Sequence, residues 1–303
     1  MKKGHYGRSL TREWPMHLMM LPAVVLIVLF SYVPFAGLAI AFERFNPSKG
    51  FFGSTFIGWD NFQYVMKMPG IGQVLWNTVY IACMKMVGGL VVPIAFALLL
   101  NEVVGSKFKR TVQTLIYLPH FLSWVILGGV LTDILSPSGG LVNSVLGWFG
   151  AEPVFFLGSE KTFPYVLVVT DIWKEFGFGT IIYLAAITSI NPVLYEAALC
   201  DGAGRWRQTW HITLPGMTPI IVLMMTLSLG NVLNAGFDQV FNLYSPVVYQ
   251  TGDILDTLVY RLGLIDAQYG VATAVGLFKS AVSTVFIVIS YICAFRFANY
   301  RIF

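Results

Sequence analysis

Charged residues are scarce in this sequence. Of its 303 residues, 11% are Asp, Glu, Lys or Arg, and 56% are hydrophobic, whereas about 25% charged residues is usual for a soluble domain. Much of the protein surface must therefore face something other than water, and lipid is the simplest candidate. The net charge of +4 is modest and the basic residues form no single patch, which argues against nucleic-acid binding.

The sequence also lacks the motifs of several kinds of active site. The dipeptide Gly-Lys does not occur, which excludes the Walker A loop that cradles ATP phosphates. There is no G-x-S-x-G and no H-E-x-x-H. The cysteines Cys83, Cys200 and Cys293 lie far apart and indicate neither a metal cluster nor a disulfide framework. We therefore expect no catalytic residue, no metal and no cofactor in this chain.

Long hydrophobic runs, in contrast, are abundant. A membrane-crossing helix needs about 20 mostly apolar residues. Six stretches satisfy this requirement: residues 17–41, 73–100, 112–135, 163–189, 216–238 and 269–296. The first stretch also resembles a signal peptide, but its apolar run exceeds the roughly 7–15 residues of a signal core, so we expect a retained helix. The pattern predicts an all-α membrane protein with six transmembrane helices.

The distribution of basic residues predicts the orientation of these helices. With a cytoplasmic N-terminus, eleven Lys and Arg residues fall on the cytoplasmic side and five on the outer side. Cytoplasmic loops carry such an excess of positive charge. We therefore predict a cytoplasmic N-terminal segment at 1–16, a six-helix transmembrane domain at 17–296, and a cytoplasmic C-terminal tail at 297–303.

The most specific pattern lies between the fourth and fifth predicted spans. Residues 191–215 read NPVLYEAALCDGAGRWRQTWHITLP. Pro192 suits the first turn of a helix, and Gly202 supplies a backbone that can bend sharply. Pro215 is expected to end the segment before the fifth span begins. The pattern predicts two short helices joined by a turn, forming a rigid cytoplasmic knob that docks into a partner.

This segment resembles the EAA loop of ATP-binding-cassette (ABC) importer permeases. That loop follows E-A-A-x3-G-x9-I-x-L-P, and every fixed position matches from Glu196 to Pro215. Residues 100–124, 181–203 and 236–249 also look like the maltose-type sugar permeases, most of all the branch that handles oligosaccharides or polysaccharide fragments. The resemblance implies a type I ABC importer permease fold in a bacterial cell membrane.

The same resemblance implies partners and contact residues. A second homologous permease subunit would complete a heterodimer, two ATPase subunits would bind ATP and Mg²⁺, and an extracytoplasmic binding protein would deliver the oligosaccharide. The large extracytoplasmic domain of the sugar-binding maltose-type subunit is absent, because the loop at 136–162 is short. Six residues are expected to couple to the ATPase: Glu196, Ala197, Ala198, Asp201, Gly202 and Ala203.

Polar residues within the fifth predicted span suggest a substrate path. Asn231, Asn234 and Asp238 are three and four residues apart and are predicted to share one helix face. Amides and carboxylates suit sugar hydroxyls, although such side chains also hold transmembrane helices together. In the fourth span, the spacing of Asp171 and Lys174 predicts an ion pair.

Two other functions are compatible with a membrane protein of this composition. A secondary transporter driven by an ion gradient would use an intramembrane carboxylate, such as Asp171 or Glu175, as its ion site. Such carriers commonly contain internal repeats, and none is visible. A membrane enzyme acting on lipid or glycan would need a catalytic constellation, and the sequence offers none.

Overall fold

The computed structural model describes the backbone of residues 6–298. Side chains are described for residues 14–289, 291 and 292. Residues 1–5 of the predicted N-terminal segment and 299–303 of the predicted C-terminal tail lie outside the described residues. Contacts divide the chain into two compact units. One contains the chain up to Lys67 with Leu262–Leu277, and the other contains Met68–Arg261 with the chain from Phe278 onwards.

The first unit is dominated by a long apolar helical stretch, Trp14–Phe42, whose most apolar part contains no buried residue, as expected of a span that faces lipid. Asn61 donates hydrogen bonds to the carbonyl oxygens of Ala41 and Glu43 at 2.9 and 3.1 Å, and so fixes the end of this stretch. The elements are α1 (Tyr6–Ile27), a π-helical turn (Val28–Tyr32), a 3₁₀ helix (Val33–Phe42), β1 (Glu43–Arg44), α2 (Gly50–Gly53), β2 (Thr55–Phe56) and α3 (Asp60–Lys67). The two short strands pair antiparallel.

The second unit contains most of the transmembrane helices. Its elements are α4 (Ile71–Glu102), α5 (Ser106–Tyr117), a 3₁₀ turn (Leu118–Phe121), α6 (Trp124–Ile134), α7 (Leu141–Trp148), α8 (Phe163–Thr188), α9 (Pro192–Cys200), α10 (Arg205–Gln208), a π-helical turn (Thr209–Thr213), α11 (Leu214–Gly230), α12 (Phe237–Leu243), a 3₁₀ turn (Pro246–Val248), α13 (Tyr249–Gly252) and α14 (Leu255–Tyr260). A further π-helical turn (Arg261–Ile265) and α15 (Tyr269–Ala298) belong partly to each unit. The helices α4 and α8 pack along each other and bury Ile81, Phe163 and Leu167.

The predicted number of spans agrees with the structure. Among the described residues, four helical stretches are long and apolar enough to cross a membrane: Trp14–Phe42, Ile71–Glu102, Arg205–Gly230 and Tyr269–Ile289. Two more consist of bent pairs, in which α5 meets α6 at 105° and α8 meets α9 at 67°. Counting each bent pair as one span gives six, so the prediction of a helical protein with six transmembrane segments is confirmed.

The third predicted span, residues 112–135, is not the single helix that its hydrophobicity suggests. The backbone becomes extended at Leu122 and Ser123, and α5 and α6 therefore form separate helices. Pro119 lacks the N–H that would continue the first helix. Ser123 caps the second helix by accepting a hydrogen bond from the N–H of Ile126 at 3.4 Å. The break is thus encoded by two local signals that an apolar run does not reveal.

The start of the fifth span differs from the prediction, in which Pro215 ends the coupling segment before the span begins. The helix α10 continues through a π-helical turn into α11, which gives one helical stretch from Arg205 to Gly230. Pro215 follows the π-helical turn directly and does not end the helical stretch. The segment that was expected to end at Pro215 is therefore joined to the span by a continuous helix.

The end of the fifth span also differs from the predicted range 216–238. The helix α11 ends at Gly230, and residues 231–236 form a turn before α12 begins. Gly236 has a φ of 91°, a conformation that disfavours any residue with a Cβ. Within the described residues, this span is therefore two helices separated by a non-helical turn.

The residues between the fifth and sixth predicted spans, 239–268, form the predicted outer loop, and most of them are helical and packed. Asn77 on α4 donates hydrogen bonds to the carbonyl oxygens of Gln250 and Asp253, at 3.0 and 3.2 Å, and so fastens α13 to the second span. Burial, followed by a hydrogen bond with the Tyr249 hydroxyl, raises the pKa of Tyr244 to about 12. Because this segment is buried in part, it is a structural element and not a flexible connection.

Candidate functional site

The coupling segment, residues 191–215, starts with a well-formed helix. Asn191 caps α9 by accepting a hydrogen bond from the N–H of Val193 at 3.0 Å, and Pro192 occupies the first helical position. Both features stabilise a helix N-terminus. The predicted first short helix is confirmed and spans Pro192–Cys200.

The turn after α9 explains why the segment contains a glycine at position 202. The N–H of Gly202 donates to the carbonyl oxygen of Leu199 at 3.0 Å, and the N–H of Ala203 donates to that of Ala198 at 2.8 Å. These two bonds form a Schellman motif, which needs a left-handed residue directly after the helix. Gly202 has a φ of 72° and meets this need. The predicted turn at Asp201 and Gly202 is thus a defined cap with one required glycine.

The coupling segment exposes large apolar side chains on its surface. Val193 is 60% exposed, Leu199 64% and Trp206 75%, and no described part of the chain covers them. Trp206 lies beside the exposed Trp210, with ring centroids 6.1 Å apart, and contiguous exposed apolar groups mark interaction sites. Among the six predicted coupling residues, four are exposed and two, Ala198 and Ala203, are partly buried. The arrangement can dock a partner, which would cover these side chains.

Two contacts hold the coupling segment together, and a third joins it to α4. The hydroxyl groups of Tyr195 and Thr213 lie 3.0 Å apart, which ties α9 to the start of the fifth span. Gln208 donates to the carbonyl oxygen of Ala203 at 2.8 Å. Arg205 pairs with Glu102 at the end of α4 at 2.7 Å, but both side chains are exposed, so this pair contributes little. The coupling segment is therefore joined to α11 by a continuous helical stretch and by one partly buried hydrogen bond.

A cavity of about 390 Å³ lies between α4, α8 and the broken end of the fifth span. Asn231 and Asn234 line it, as do Lys85 and Asp171. Asp238 is not part of its lining, because α11 ends before Asn231 and the three predicted residues do not share a helix face. The predicted polar stripe is therefore wrong as a helical face, although two of its members meet at one cavity.

A buried charge network borders the cavity. The ammonium group of Lys85 lies 3.2 Å from Asp171 Oδ1 and donates to the carbonyl oxygen of Ala235 at 2.7 Å. It also donates to Gln239 Oε1. Lys85 is a single lysine in an apolar stretch, and this isolation is the sequence signal that singles it out as a candidate. The predicted pairing of Asp171 with Lys174 is wrong, because Asp171 pairs with α4.

A second charge cluster lies at the break between α5 and α6. His120 Nδ1 is 2.7 Å from Glu175 Oε2, and the Lys174 ammonium is 2.7 Å from Glu175 Oε1. Lys174 also donates to the carbonyl oxygen of His120 at 3.0 Å. The imidazole ring stacks on Phe178 with a centroid separation of 4.3 Å. The cluster gives partners to the carbonyl oxygen and the imidazole of His120 at the interruption of the third span, and it pairs Lys174 with Glu175.

Sequence comparison identifies similar proteins over nearly the whole chain. The profile of one family, described as "Binding-protein-dependent transport system inner membrane component", matches residues 89–299. The polygalacturonan/rhamnogalacturonan transport system permease protein YteP of Bacillus subtilis (strain 168) is 42% identical, with 97% of this chain and 92% of that protein covered. Protein LplB of the same organism is 37% identical, with 92% and 88% covered.

Solved structures of similar fold are also available. A chain of a bacterial alginate ABC transporter, in complex with an alginate pentasaccharide-bound periplasmic protein, matches with a TM-score of 0.89 and 37% identity. The match covers 97% of this chain and 98% of that chain. A chain of a bacterial ABC transporter involved in the import of the acidic polysaccharide alginate matches with a TM-score of 0.90 and 38% identity, covering 97% and 99%.

Proposed function

Because the chain belongs to the family of binding-protein-dependent transport system inner membrane components, we propose that it forms one half of the translocation pathway of an ATP-driven sugar importer. This multi-pass membrane protein thus has the fold and family that its sequence predicts. A second homologous permease supplies the other half of the pathway. Two separate ATPase subunits bind ATP and Mg²⁺ and hydrolyse the nucleotide, and this chain catalyses no reaction itself.

The exposed coupling segment is the observation that carries the proposal. It is rigid, because α9 is capped at both ends, and it is continuous with the fifth span. It presents apolar side chains that nothing in the described chain covers. We assign the ATPase contact to the residues that the sequence predicts: Glu196, Ala197, Ala198, Asp201, Gly202 and Ala203. Closure of the ATPases would move this segment and, with it, α11.

The proposed substrate is an oligosaccharide derived from an acidic polysaccharide, handed over by an extracytoplasmic binding protein. The names of two similar proteins support this class. One is a permease for polygalacturonan and rhamnogalacturonan, and the other belongs to a transporter of alginate, an acidic polysaccharide. The complex of the second with a pentasaccharide-bound periplasmic protein supports delivery by a binding protein.

The proposed sugar path includes the cavity beside the break in the fifth span. Asn231 and Asn234 line this cavity, and their amides suit sugar hydroxyls as both donors and acceptors. Asp238 lies beyond the turn, on α12, and is exposed. We place it at the outer approach to the cavity rather than in its wall.

The pairing of the intramembrane carboxylates speaks against an ion-driven carrier. Such a carrier would use Asp171 or Glu175 to bind its ion. Asp171 is paired with Lys85, and Glu175 lies between Lys174 and His120. An ion would therefore have to displace a protein cation at either position.

Purification with the products of neighbouring genes tests the proposal. The chain is expected to co-purify with a second permease and an ATPase. We expect binding protein loaded with trigalacturonate to stimulate ATP hydrolysis, and unloaded binding protein to stimulate it less. A panel of neutral saccharides of the same length measures selectivity. Absence of an ATPase from the complex, or hydrolysis that ignores every loaded binding protein, would refute the proposed function.

A further inference from the structure

Neither docking of an ATPase nor binding of the substrate explains why a lysine lies buried at position 85. It lies on α4, inside a stretch that is apolar enough to cross a membrane, and it is only 8% exposed. A charged side chain at such a position is unfavourable unless it is paired, and it usually serves a function. Its ammonium group has three partners, one on α8, one in the turn 231–236 and one on α12.

The hydrogen-bonding capacity of this ammonium group is fully used within the chain. A lysine has three N–H donors and no acceptor. Here the acceptors are the carbonyl oxygen of Ala235 at 2.7 Å, Gln239 Oε1, and Asp171 Oδ1 at 3.2 Å. No donor is left for a ligand, and the positive charge is balanced by one carboxylate. Lys85 thus lines the cavity but offers a substrate neither a free N–H donor nor a net charge.

These contacts hold the interruption of the fifth span in place. Non-helical backbone at membrane depth must have its polar groups satisfied by the protein, and Lys85 satisfies the carbonyl group of Ala235. Gln239 continues the network, because its Nε2 donates to the carbonyl oxygen of Leu167 and to Thr170 Oγ1, both at 2.8 Å. The second, fourth and fifth spans are thereby joined at the turn 231–236.

Gly236 makes this approach of Lys85 to the turn possible. A Cβ at Gly236 would lie 2.9 Å from Lys85 Nζ, and its φ of 91° also excludes most side chains. The turn therefore depends on a glycine for its shape and on a lysine for its hydrogen bonding. Neither Gly236 nor Lys85 alone would fix the positions of Asn231 and Asn234 in this turn.

We infer that Lys85 is a positioning residue for transport: it holds the turn 231–236 so that Asn231 and Asn234 face the cavity, and it does not recognise the charge of the substrate. The inference rests on the proposed function, in which this cavity carries a saccharide. It follows that the cavity recognises hydroxyl groups through amides. Selection of acidic sugars then belongs to another part of the transporter.

An uptake assay distinguishes positioning from charge recognition. The complex carrying Lys85→Met is compared with wild type using trigalacturonate and its methyl ester, which differ only in their carboxylates. Loss of a buried ion partner is expected to reduce uptake of both by about tenfold or more, with their ratio unchanged. A selective loss of trigalacturonate uptake would show that Lys85 recognises carboxylates, and unchanged uptake of both would also overturn the inference.

A labelling assay tests the position of the turn without any need for transport. Asn234→Cys is introduced into a background in which Cys83, Cys200 and Cys293 are serine, and its reaction rate with a hydrophilic maleimide is measured in the assembled complex. We expect Lys85→Met to change this rate several-fold. Lys279→Met is the matched control, because Lys279 pairs with Asp256 at 2.5 Å and does not line the cavity.

The double variant Lys85→Met/Asp171→Asn covers the case in which the single variant fails to assemble. It removes both charges, so that no unpaired carboxylate is left in the membrane, but the Ala235 carbonyl group still lacks its donor. We expect it to assemble and to retain the altered labelling rate. A wild-type rate in the assembled double variant would refute the role of Lys85. Failure of wild-type complex to import either saccharide would instead refute the proposed function.

Discussion

Gly202 shows, at the scale of single residues, how a sequence pattern encodes a backbone conformation. The space around its missing Cβ is open, with nothing within 4 Å, so packing does not require a glycine there. The requirement comes from its φ of 72°, which completes the Schellman motif after α9. Gly204, two residues later, also has open space but a φ of −66°. Substitutions at Gly202 and Gly204 therefore distinguish the effect of backbone conformation from the effect of a larger side chain.

We predict that Gly202→Ala impairs coupling and that Gly204→Ala does not. A left-handed conformation costs a residue with a Cβ about 1–2 kcal/mol, which favours other shapes of the turn. The measurement is the number of saccharide molecules imported per ATP hydrolysed in proteoliposomes. We expect this ratio to fall several-fold for Gly202→Ala with normal yield of the complex. Equal ratios for the two variants would show that the turn conformation is not needed for coupling.

Asn234 provides the corresponding test in the cavity. A hydrogen bond to an uncharged partner contributes about 0.5–1.5 kcal/mol, so Asn234→Leu should raise the half-saturating saccharide concentration severalfold and retain basal ATP hydrolysis. If the side chain instead serves helix packing, the yield of complex would fall while sugar dependence stayed normal. Measuring yield and saccharide-stimulated hydrolysis on the same preparation separates the two roles.

The helices themselves were predictable to different degrees. The second and fourth spans, predicted as 73–100 and 163–189, agree closely with α4 and α8. A continuous apolar run is enough to define a transmembrane helix. The third and fifth spans are interrupted, and hydrophobicity does not report an interruption. Pro119 and Gly236 lie at these interruptions, but the predicted spans ran through both. The partner that satisfies the broken fifth span, Lys85, is 150 residues from Ala235 in sequence and could not be assigned without the fold.

The connection between α9 and the fifth span can be tested at Tyr195. Its hydroxyl group lies 3.0 Å from Thr213 Oγ1, and Tyr195→Phe removes this contact with little change in shape. We predict a partial loss of coupling, since one hydrogen bond contributes about 1 kcal/mol. Thr213→Val should have the same effect, and the double variant should add little to it. Additive losses would indicate that the two residues act independently.

For the whole molecule, the orientation of the chain remains a prediction from its basic residues. Labelling should use side chains that the structure exposes. Residues 252–255 in the predicted outer loop are buried and unsuitable. Val104 is 88% exposed, Phe155 56% and Val247 65%. Cysteine at 155 or 247 should react with an impermeant maleimide from outside, and cysteine at 104 only after the cytoplasmic side is opened. Reaction of 104 from outside would contradict the predicted orientation.

The fold gives the intramembrane charges different roles from those that the sequence suggests. From the sequence, Asp171 and Glu175 were candidates for an ion site, and the spacing of Asp171 and Lys174 suggested a pair on one helix. In the fold, Asp171 pairs with Lys85 of α4, whereas Glu175 pairs with Lys174 of its own helix. Pairing between helices depends on their packing, which spacing along one helix cannot predict.

Uptake into proteoliposomes that contain the assembled complex shows whether ATP or an ion gradient drives transport. With loaded binding protein outside and ATP inside, we expect trigalacturonate to accumulate, and we expect accumulation to persist when protonophores and ionophores abolish every ion gradient. Removal of ATP or of the binding protein should stop it. Accumulation that proceeds without ATP and collapses with the ion gradient would show that the chain is a secondary transporter and would contradict the account.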